Sequence, residues 1–553
     1  MTRTSPHAPD DTAAAEPAQA GAPAGPRRNR VPVLLIAPVV LAALGSWGLV
    51  RDGAFGNDES ATRWAARLPL HGLFHLLGNV DAVHGLYYLG MHAWMVFGDG
   101  PVALRLPSLM AAVATAAIVT ALGRRLSGSA VTGVVAGLLY AASPFAMFYA
   151  QTARSYAIVS LLVAAATLVL VRALDAERSG AGGIVVARRW VAYGVLIALS
   201  GWLNEMALLV LAAHAITLIV TGYAWRARLR WLVAAVLGAV TVSPLYVISS
   251  REDNAVSWII RPQPHDIVVL LREYFGPYTA VIVVSVACAL VALVPTGRTR
   301  AAVAAGTTAE AWRNRGPVGL VSVALPLLVA PPLLLVVESE VGTPLYADRY
   351  VLYSVLGAVL LIAHGATRLG RRLFGARART TAWVPGIAAV LCVLLVQAPF
   401  QQHIRTPDAR LRDFGPPAAF VGNYAHPGDG VLFFGSFFRM VELGYPDDFR
   451  DVADVGVART PLASGTFRGI DASLGESAPR ILACNRIWVV GRRPGGRQAS
   501  VLFKRERNLL VVHYLRVAVR QYHGLTVSLW TRRPVPLRQV PPRLRDQPVH
   551  APR

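Results

Sequence analysis

The chain has 553 residues, of which 54% are hydrophobic and only 15% charged, against roughly 25% charged in soluble domains. Its formal charge of +23 rests almost wholly on arginine, Lys504 being the only lysine. Those arginines sit in short loops between apolar blocks, so the basic excess points to a membrane and not to nucleic acid. Three scattered cysteines give no disulfide framework and no zinc or redox spacing.

Met1–Arg30 is rich in Ala, Pro and Gly, cannot bury a core, and reads as a disordered cytoplasmic tail. The apolar block Val31–Val50 follows and reads as a retained first helix. Ten more blocks long enough for a span come after it: Leu104–Leu122, Ala130–Phe148, Tyr156–Ala173, Trp190–Leu203, Met206–Trp225, Trp231–Ser249, Tyr278–Val294, Val318–Val337, Val351–Thr367 and Ala382–Phe400. The spacing predicts about eleven transmembrane helices. Trp190–Leu203 is expected to cover only about 20 Å at 1.5 Å per residue, which makes 190–225 a candidate hairpin that stops short. Arginines crowd alternate loops, at Arg124–Arg125, Arg188–Arg189, Arg226–Arg230, Arg298–Arg315 and Arg371–Arg379, while carboxylates such as Asp58, Asp81, Glu252 and Asp348 mark the others, read as outer. This is the positive-inside pattern. It predicts a multi-pass protein of the cell membrane, with residues 31–400 as the membrane domain and the odd helix count leaving 401–553 outside.

That last region is mixed in composition. Strand-like runs at Val431–Phe434, Ile487–Val490 and Thr526–Thr531, with helical stretches at Ala418–Tyr424 and Ala499–Asn508, predict a small extracytoplasmic α/β domain.

The first outer loop, 51–103, holds the densest chemistry. Asp58 and Glu59 stand side by side just past the first helix. Ser60–Leu77 reads as an amphipathic segment divided by Pro69, and His84–Phe97 carries Tyr87, Tyr88, His92 and Trp94, side chains suited to headgroup depth. The acid pair fits a general base for sugar transfer, worth about 100- to 10,000-fold; it equally fits two solvated acids that mark the outer side. Arg154, in Tyr149-Ala-Gln-Thr-Ala-Arg154-Ser-Tyr156, and Arg349, in Tyr346-Ala-Asp348-Arg349-Tyr350, fit either a phosphate fork or an interfacial anchor. Glu205 is a polar residue at undetermined depth.

Asn57-Asp58-Glu59, then Asp81-Ala-Val-His84-Gly-Leu-Tyr87-Tyr88, then Arg105-Leu-Pro107-Ser108, resemble the GT-C glycosyltransferases. The branch most similar contains the protein O-mannosyltransferases and the lipid A aminoarabinose transferase, actinobacterial members in particular. Gln151-Thr-Ala-Arg154-Ser-Tyr156 and Arg349-Tyr350 are similar to short motifs of that branch. The resemblance spans about 31–400 and implies a polyprenyl-phosphate sugar donor, an outer-face site and an inverting reaction. It implies Asp58 as catalytic base, Glu59 as assistant or positioning group, and Arg154, Arg349 and His84 as donor-phosphate contacts. Tyr87, Tyr88, Gln151, Tyr156 and Tyr350 would line the substrate. Relatives often carry two prolines before the Leu-Tyr pair where this chain has His84-Gly85, which leaves the role of His84 open.

The reading is a glycosyltransferase moving a hexose, mannose among the candidates, from its lipid carrier to a lipid, glycan or protein acceptor. Membrane lipids are further partners and nucleic acid is not. No metal ligands are assigned: Asp58 and Glu59 are too few for calcium, which takes about 6–8 oxygens, and dependence on a divalent metal stays open. A transporter or flippase without transferase activity is the alternative, although no paired half-chain repeat is visible.

Overall fold

The computed structural model describes residues 31–51, 54–252, 259–294, 318–374, 383–406, 409, 412–492 and 501–533. The expected tail Met1–Arg30, the arginines of 295–317 and the first residues of the 499–508 helix lie outside them.

The membrane part contains α1 (Val31–Arg51), α2 (Asn57–Arg67), α3 (Leu70–Leu77), α4 (Gly85–Trp94), α5 (Pro101–Ser127), α6 (Ala130–Ala142), α7 (Pro144–Ala150), α8 (Tyr156–Arg178), α9 (Gly183–Leu203), α10 (Val210–Val220), α11 (Trp225–Val240), α12 (Ser243–Ser249), α13 (Asp266–Phe275), α14 (Thr279–Leu293), α15 (Leu320–Val341), α16 (Val355–Phe374) and α17 (Trp383–His403). Among the described residues five helices are long and apolar enough to span a membrane, and up to eight when each bent pair is one span. The remaining three of the eleven expected blocks fall on α1, the 205–220 segment and α17. The protein is therefore a multi-pass helical membrane protein.

Proline sets the breaks. Leu68 is held extended (ψ 143°) before Pro69, as steric clash with the proline ring requires, so α2 stops and α3 restarts one residue later. The same effect at Ser143 before Pro144 separates α6 from α7 with a bend of 64°. Pro244 and Pro277 accompany the breaks between α11 and α12 (41°) and between α13 and α14 (91°). Reading Ala130–Phe148 and Trp231–Ser249 as continuous helices was therefore too simple: hydropathy runs through a proline that the backbone cannot ignore.

The short hairpin arm also needs correction. The helix begins at Gly183 and has 21 residues, about 31 Å at 1.5 Å per residue, enough for a full crossing. Arg188 and Arg189 lie inside its first turns and not in a loop. Arg189 donates to the Arg172 carbonyl and Trp190 to Glu177 at 3.0 Å. Long polar side chains at a helix end reach the interface while their stems stay apolar.

α5 is the central post, packed against α1, α6 and α8. It meets α6 through glycine: a Cβ on Gly123 would lie 2.9 Å from the Gly133 Cα. Van der Waals packing of close backbones is what holds helices together where lipid removes the hydrophobic drive.

The rest of the chain forms a sheet domain: α18 (Gly415–Tyr424), β1 (Asp429–Phe434), α19 (Arg439–Gly444), β2 (Val452–Asp454), β3 (Val457–Arg459), α20 (Pro461–Ser464), β4 (Ile470–Asp471), α21 (Leu474–Ala483), β5 (Arg486–Gly491), α22 (Val501–His513), β6 (Tyr514–Tyr522) and β7 (Leu525–Arg532). The five-stranded sheet has the order β2-β1-β5-β7-β6, and β3 pairs with β4. β1 lies parallel to both β2 and β5. Both central strands are buried throughout, as strands covered on two faces must be, and their continuous apolar runs are the ones the sequence advertised. β6 was not expected, because its alternation is filled with arginine and glutamine.

Candidate active site

The loop between α1 and α5, the turn between α7 and α8, and the 3-10 turn Asp348–Ser354 meet at one end of the helical bundle. α2 delivers both acids. Asp58 and Glu59 occupy its first turn, where the amide dipoles favour negative charge. Their neighbourhoods differ sharply: 40% of the Asp58 side chain is exposed and 1% of Glu59.

Glu59 is locked. The Arg105 guanidinium grips it from α5, Nε to Oε1 and Nη2 to Oε2, both at 2.7 Å. The Ala153 amide donates to Oε1 at 3.0 Å and the Gly56 amide to Oε2 at 3.4 Å. A carboxylate with four donors in a buried site has no lone pair to spare for chemistry. Glu59 therefore positions α2 against α5 and the 153 turn.

Asp58 faces the opposite way, into a ring of cations and phenols. Arg154 Nη2 lies 3.6 Å from Asp58 Oδ1, and Asn57 donates to the same oxygen at 3.2 Å. Burial pushes the Asp58 carboxyl up, but Arg154, Arg349 and His84 together outweigh it and hold the acid below its usual range. Arg154 is itself divided among several partners: Nη1 donates to the Tyr88 hydroxyl at 2.8 Å and lies 3.8 Å from Asp81. Its Nε is buried without a hydrogen-bond partner. Tyr88 in turn donates to Asp81.

His84 stands 4.0 Å from Asp81, with its ring against Tyr88 and Tyr156. Burial drives its pKa down to about 4, so at neutral pH it is an uncharged imidazole that can give or take one hydrogen bond. Arg349 stacks 5.5 Å from the Tyr350 ring, which lies 6.3 Å from Tyr156. Tyr87 is buried with a hydroxyl that has no partner. Gln151 turns elsewhere. Its amide reaches the Leu44 and Gly45 carbonyls at 3.5 and 3.4 Å, which assigns it to packing against α1 and not to lining the site.

Sequence reasoning missed four contributors. Arg105 was quoted only as part of a motif. Asp81, read as an outer-loop acid, is the one non-glycine residue with positive φ (63°) among the described residues, a conformation Asp tolerates better than most. Glu252 reaches across to accept the amides of Asp81 and Ala82, each at 2.9 Å. The fourth is Tyr445 of the sheet domain, whose hydroxyl accepts the Phe55 amide at 2.6 Å. Phe414 donates to the Phe55 carbonyl at 3.2 Å, and Arg63 of α2 donates to the Gly444 carbonyl. The sheet domain thus pins both sides of the peptide that leads into Asp58. Asp81 and Glu252 carried a signal, acids in outer loops; Tyr445 carried none.

Among the described residues no three His, Cys, Asp or Glu side chains converge as a metal site requires.

Residues 86–248 match the family described as dolichyl-phosphate-mannose-protein mannosyltransferase, a segment that begins after Asp58. In three dimensions the chain is similar to ArnT from Cupriavidus metallidurans in the apo state, at 13% identity and a TM-score of 0.56, over 90% of this chain and 97% of that one. The same protein bound to undecaprenyl phosphate aligns over equal shares at 12% identity and a TM-score of 0.51. The oligosaccharyltransferase AglB from Archaeoglobus fulgidus, in complex with an inhibitory peptide and a dolichol-phosphate, aligns at 12% identity and a TM-score of 0.45 over 83% of this chain and 69% of that one. No curated sequence matches significantly. The fold is shared with the ArnT structures, and the matched family segment agrees with the motifs.

Proposed function

We propose that this GT-C chain transfers a sugar, mannose or another hexose, from a polyprenyl-phosphate carrier to an acceptor hydroxyl at the extracytoplasmic face of the cell membrane. Asp58 takes the acceptor proton as the acceptor oxygen bonds to the anomeric carbon. The bond from that carbon to the carrier phosphate breaks with inversion, and polyprenyl phosphate leaves. Arg154 and Arg349 hold the phosphate as its charge grows, and His84 contributes a neutral N–H. Preformed donors in a poorly hydrated site stabilise such charge without reorganisation. The observation that carries this reading is one partly exposed carboxylate, kept ionised by flanking guanidinium groups at the rim of a membrane bundle. The undecaprenyl phosphate held by the similar ArnT structure supports the choice of carrier. A low pKa makes Asp58 a weak base, but one that is unprotonated throughout the neutral range.

The test is transfer of radiolabelled mannose from polyprenyl-phosphate-mannose to envelope extract by protein in nanodiscs. Wild type is expected to label an acceptor, and Asp58→Asn to bind donor without turnover. Undiminished turnover by Asp58→Asn would sink the assignment.

A further inference from the structure

The sheet domain carries a second group of arginines, beyond the carboxyl ends of its parallel strands. β1 is flanked by β2 on one side and β5 on the other, so strand order reverses there and leaves a crevice, the usual ligand position in open α/β sheets. Glycines stand at the ends of both strands. Gly435 leaves β1 at φ +101°, and a Cβ on Gly491, at the end of β5, would collide with Phe434. Phe437 follows directly. Two guanidinium groups lie over its ring, Arg412 at 4.5 Å and Arg468 at 6.0 Å, and Arg492 at the end of β5 is close enough to act electrostatically on Arg412.

Like charges gathered on one ring repel, and nearby acids would normally neutralise them. Here the acids are engaged elsewhere. Asp471 and Asp454 both bond Arg439 at 2.6 Å, and Arg439 also holds the Arg468 carbonyl at 2.7 Å, which fixes the loop while leaving the Arg468 side chain exposed. Among the described residues no carboxylate pairs with Arg412, Arg468 or Arg492, and the Arg412 Nε is buried without a hydrogen-bond partner. The cluster is also linked through the chain to the proposed reaction centre: Arg412 is two residues from Phe414, whose amide holds the Phe55 carbonyl.

We infer that this crevice binds an oxyanion of the phosphate class carried by the acceptor, with Arg412 and Arg468 as its forks and Phe437 as the platform that aligns them. Guanidinium forks match the oxygens of such groups two at a time. The inference rests on the transferase reading for its word "acceptor", and the binding site itself stands without it.

Full-length protein in neutral phosphatidylcholine nanodiscs, carrying Arg154→Gln with Arg349→Gln to remove the bundle-end cations, is titrated with radiolabelled pyrophosphate. Saturable binding is expected, weakened about tenfold or more by Arg412→Gln with Arg468→Gln, the usual scale for losing a charge-assisted contact. Donor-lipid binding by protein with Arg154 and Arg349 intact should be unchanged in the same pair. Arg468→Gln with Arg492→Gln, both at exposed positions, repeats the test if the first pair lowers the melting temperature. Equal binding by wild type and these variants would overturn the site. Loss of binding when phosphatidylglycerol replaces the neutral lipid would overturn its assignment to the acceptor, since bulk headgroups would then fill it. Failure of sugar transfer with pyrophosphate binding intact would count against the proposed function alone.

Discussion

Two regions of this molecule bury an arginine among acids, and they do so differently. In the sheet domain, Arg439 is fully buried and tightly paired, with Asp454 and Asp471 at 2.6 Å and a backbone carbonyl at 2.7 Å. At the end of the bundle, Arg154 has its acids at 3.6 and 3.8 Å, one phenol at 2.8 Å and an Nε with no partner. Arg105 and Glu59, the neighbour of Asp58 in the chain, belong with the tightly paired kind. A guanidinium held by its acids at hydrogen-bond distance is scaffold. One held near its acids without tight contact has capacity left for a ligand's oxygens, and that contrast separates Asp58 from the adjacent Glu59.

The sharpest way to break this comparison is to exchange the two acids' fates. Asp58→Asn is expected to lower turnover about 100- to 10,000-fold with the melting temperature unchanged, measured by transfer kinetics beside a thermal melt. Glu59→Gln should do the reverse in kind. Breaking a buried pair costs about 3–5 kcal/mol, so a lower melting temperature and poor insertion should precede any defect in chemistry. If Glu59→Gln melts like wild type and loses only turnover, the division of roles is wrong.

Arg154→Lys keeps the charge but loses the planar fork. Donor KM should rise about tenfold while acceptor KM is little changed; a KM for donor equal to wild type would remove Arg154 from phosphate recognition. Tyr445→Phe leaves the Phe55 amide without its acceptor, at a cost of about 1–3 kcal/mol. It should lower kcat more than donor affinity, because the domain contact sets the direction of α2 and touches no substrate.

The smallest effects concern pH. Asp58 lies below its ordinary range and His84 near 4, so neither changes protonation between about pH 5.5 and 8, and kcat/KM should show no step near 6.5, where a free histidine titrates. In the sheet domain the sign is opposite. Burial pushes Glu442 and Glu506 up to about 7. The folded state therefore holds protons that the unfolded chain releases above about 4.5. Their contribution is complete below that pH and is lost as pH rises through 7, so the domain should melt lower at pH 8 than at pH 5, and Glu442→Gln should flatten that slope.

Much of this was legible in the primary structure. Apolar blocks of bilayer length have few alternatives to a helix, since every backbone amide in lipid must be bonded within its own segment, and all eleven landed on helices. Asp58, Arg154 and Arg349, named from their motifs, do come together at one end of the bundle. The bends at Pro144, Pro244 and Pro277 were written in the chain as well, but a hydropathy window averages over one residue.

What the sequence by itself determined is the set of helices, their breaks, and the residue types available at one end of the bundle, all consequences of local backbone chemistry and of the bilayer as solvent. Tertiary structure alone decided which acid is free and which is bound. Glu59 is silenced by Arg105 from α5 and by the Ala153 amide, and the peptide before Asp58 is held by Tyr445 from a domain 390 positions away in the chain. Spacing along a chain cannot report such contacts, because hydrogen bonds depend on distances that form only once the helices and the sheet domain have packed.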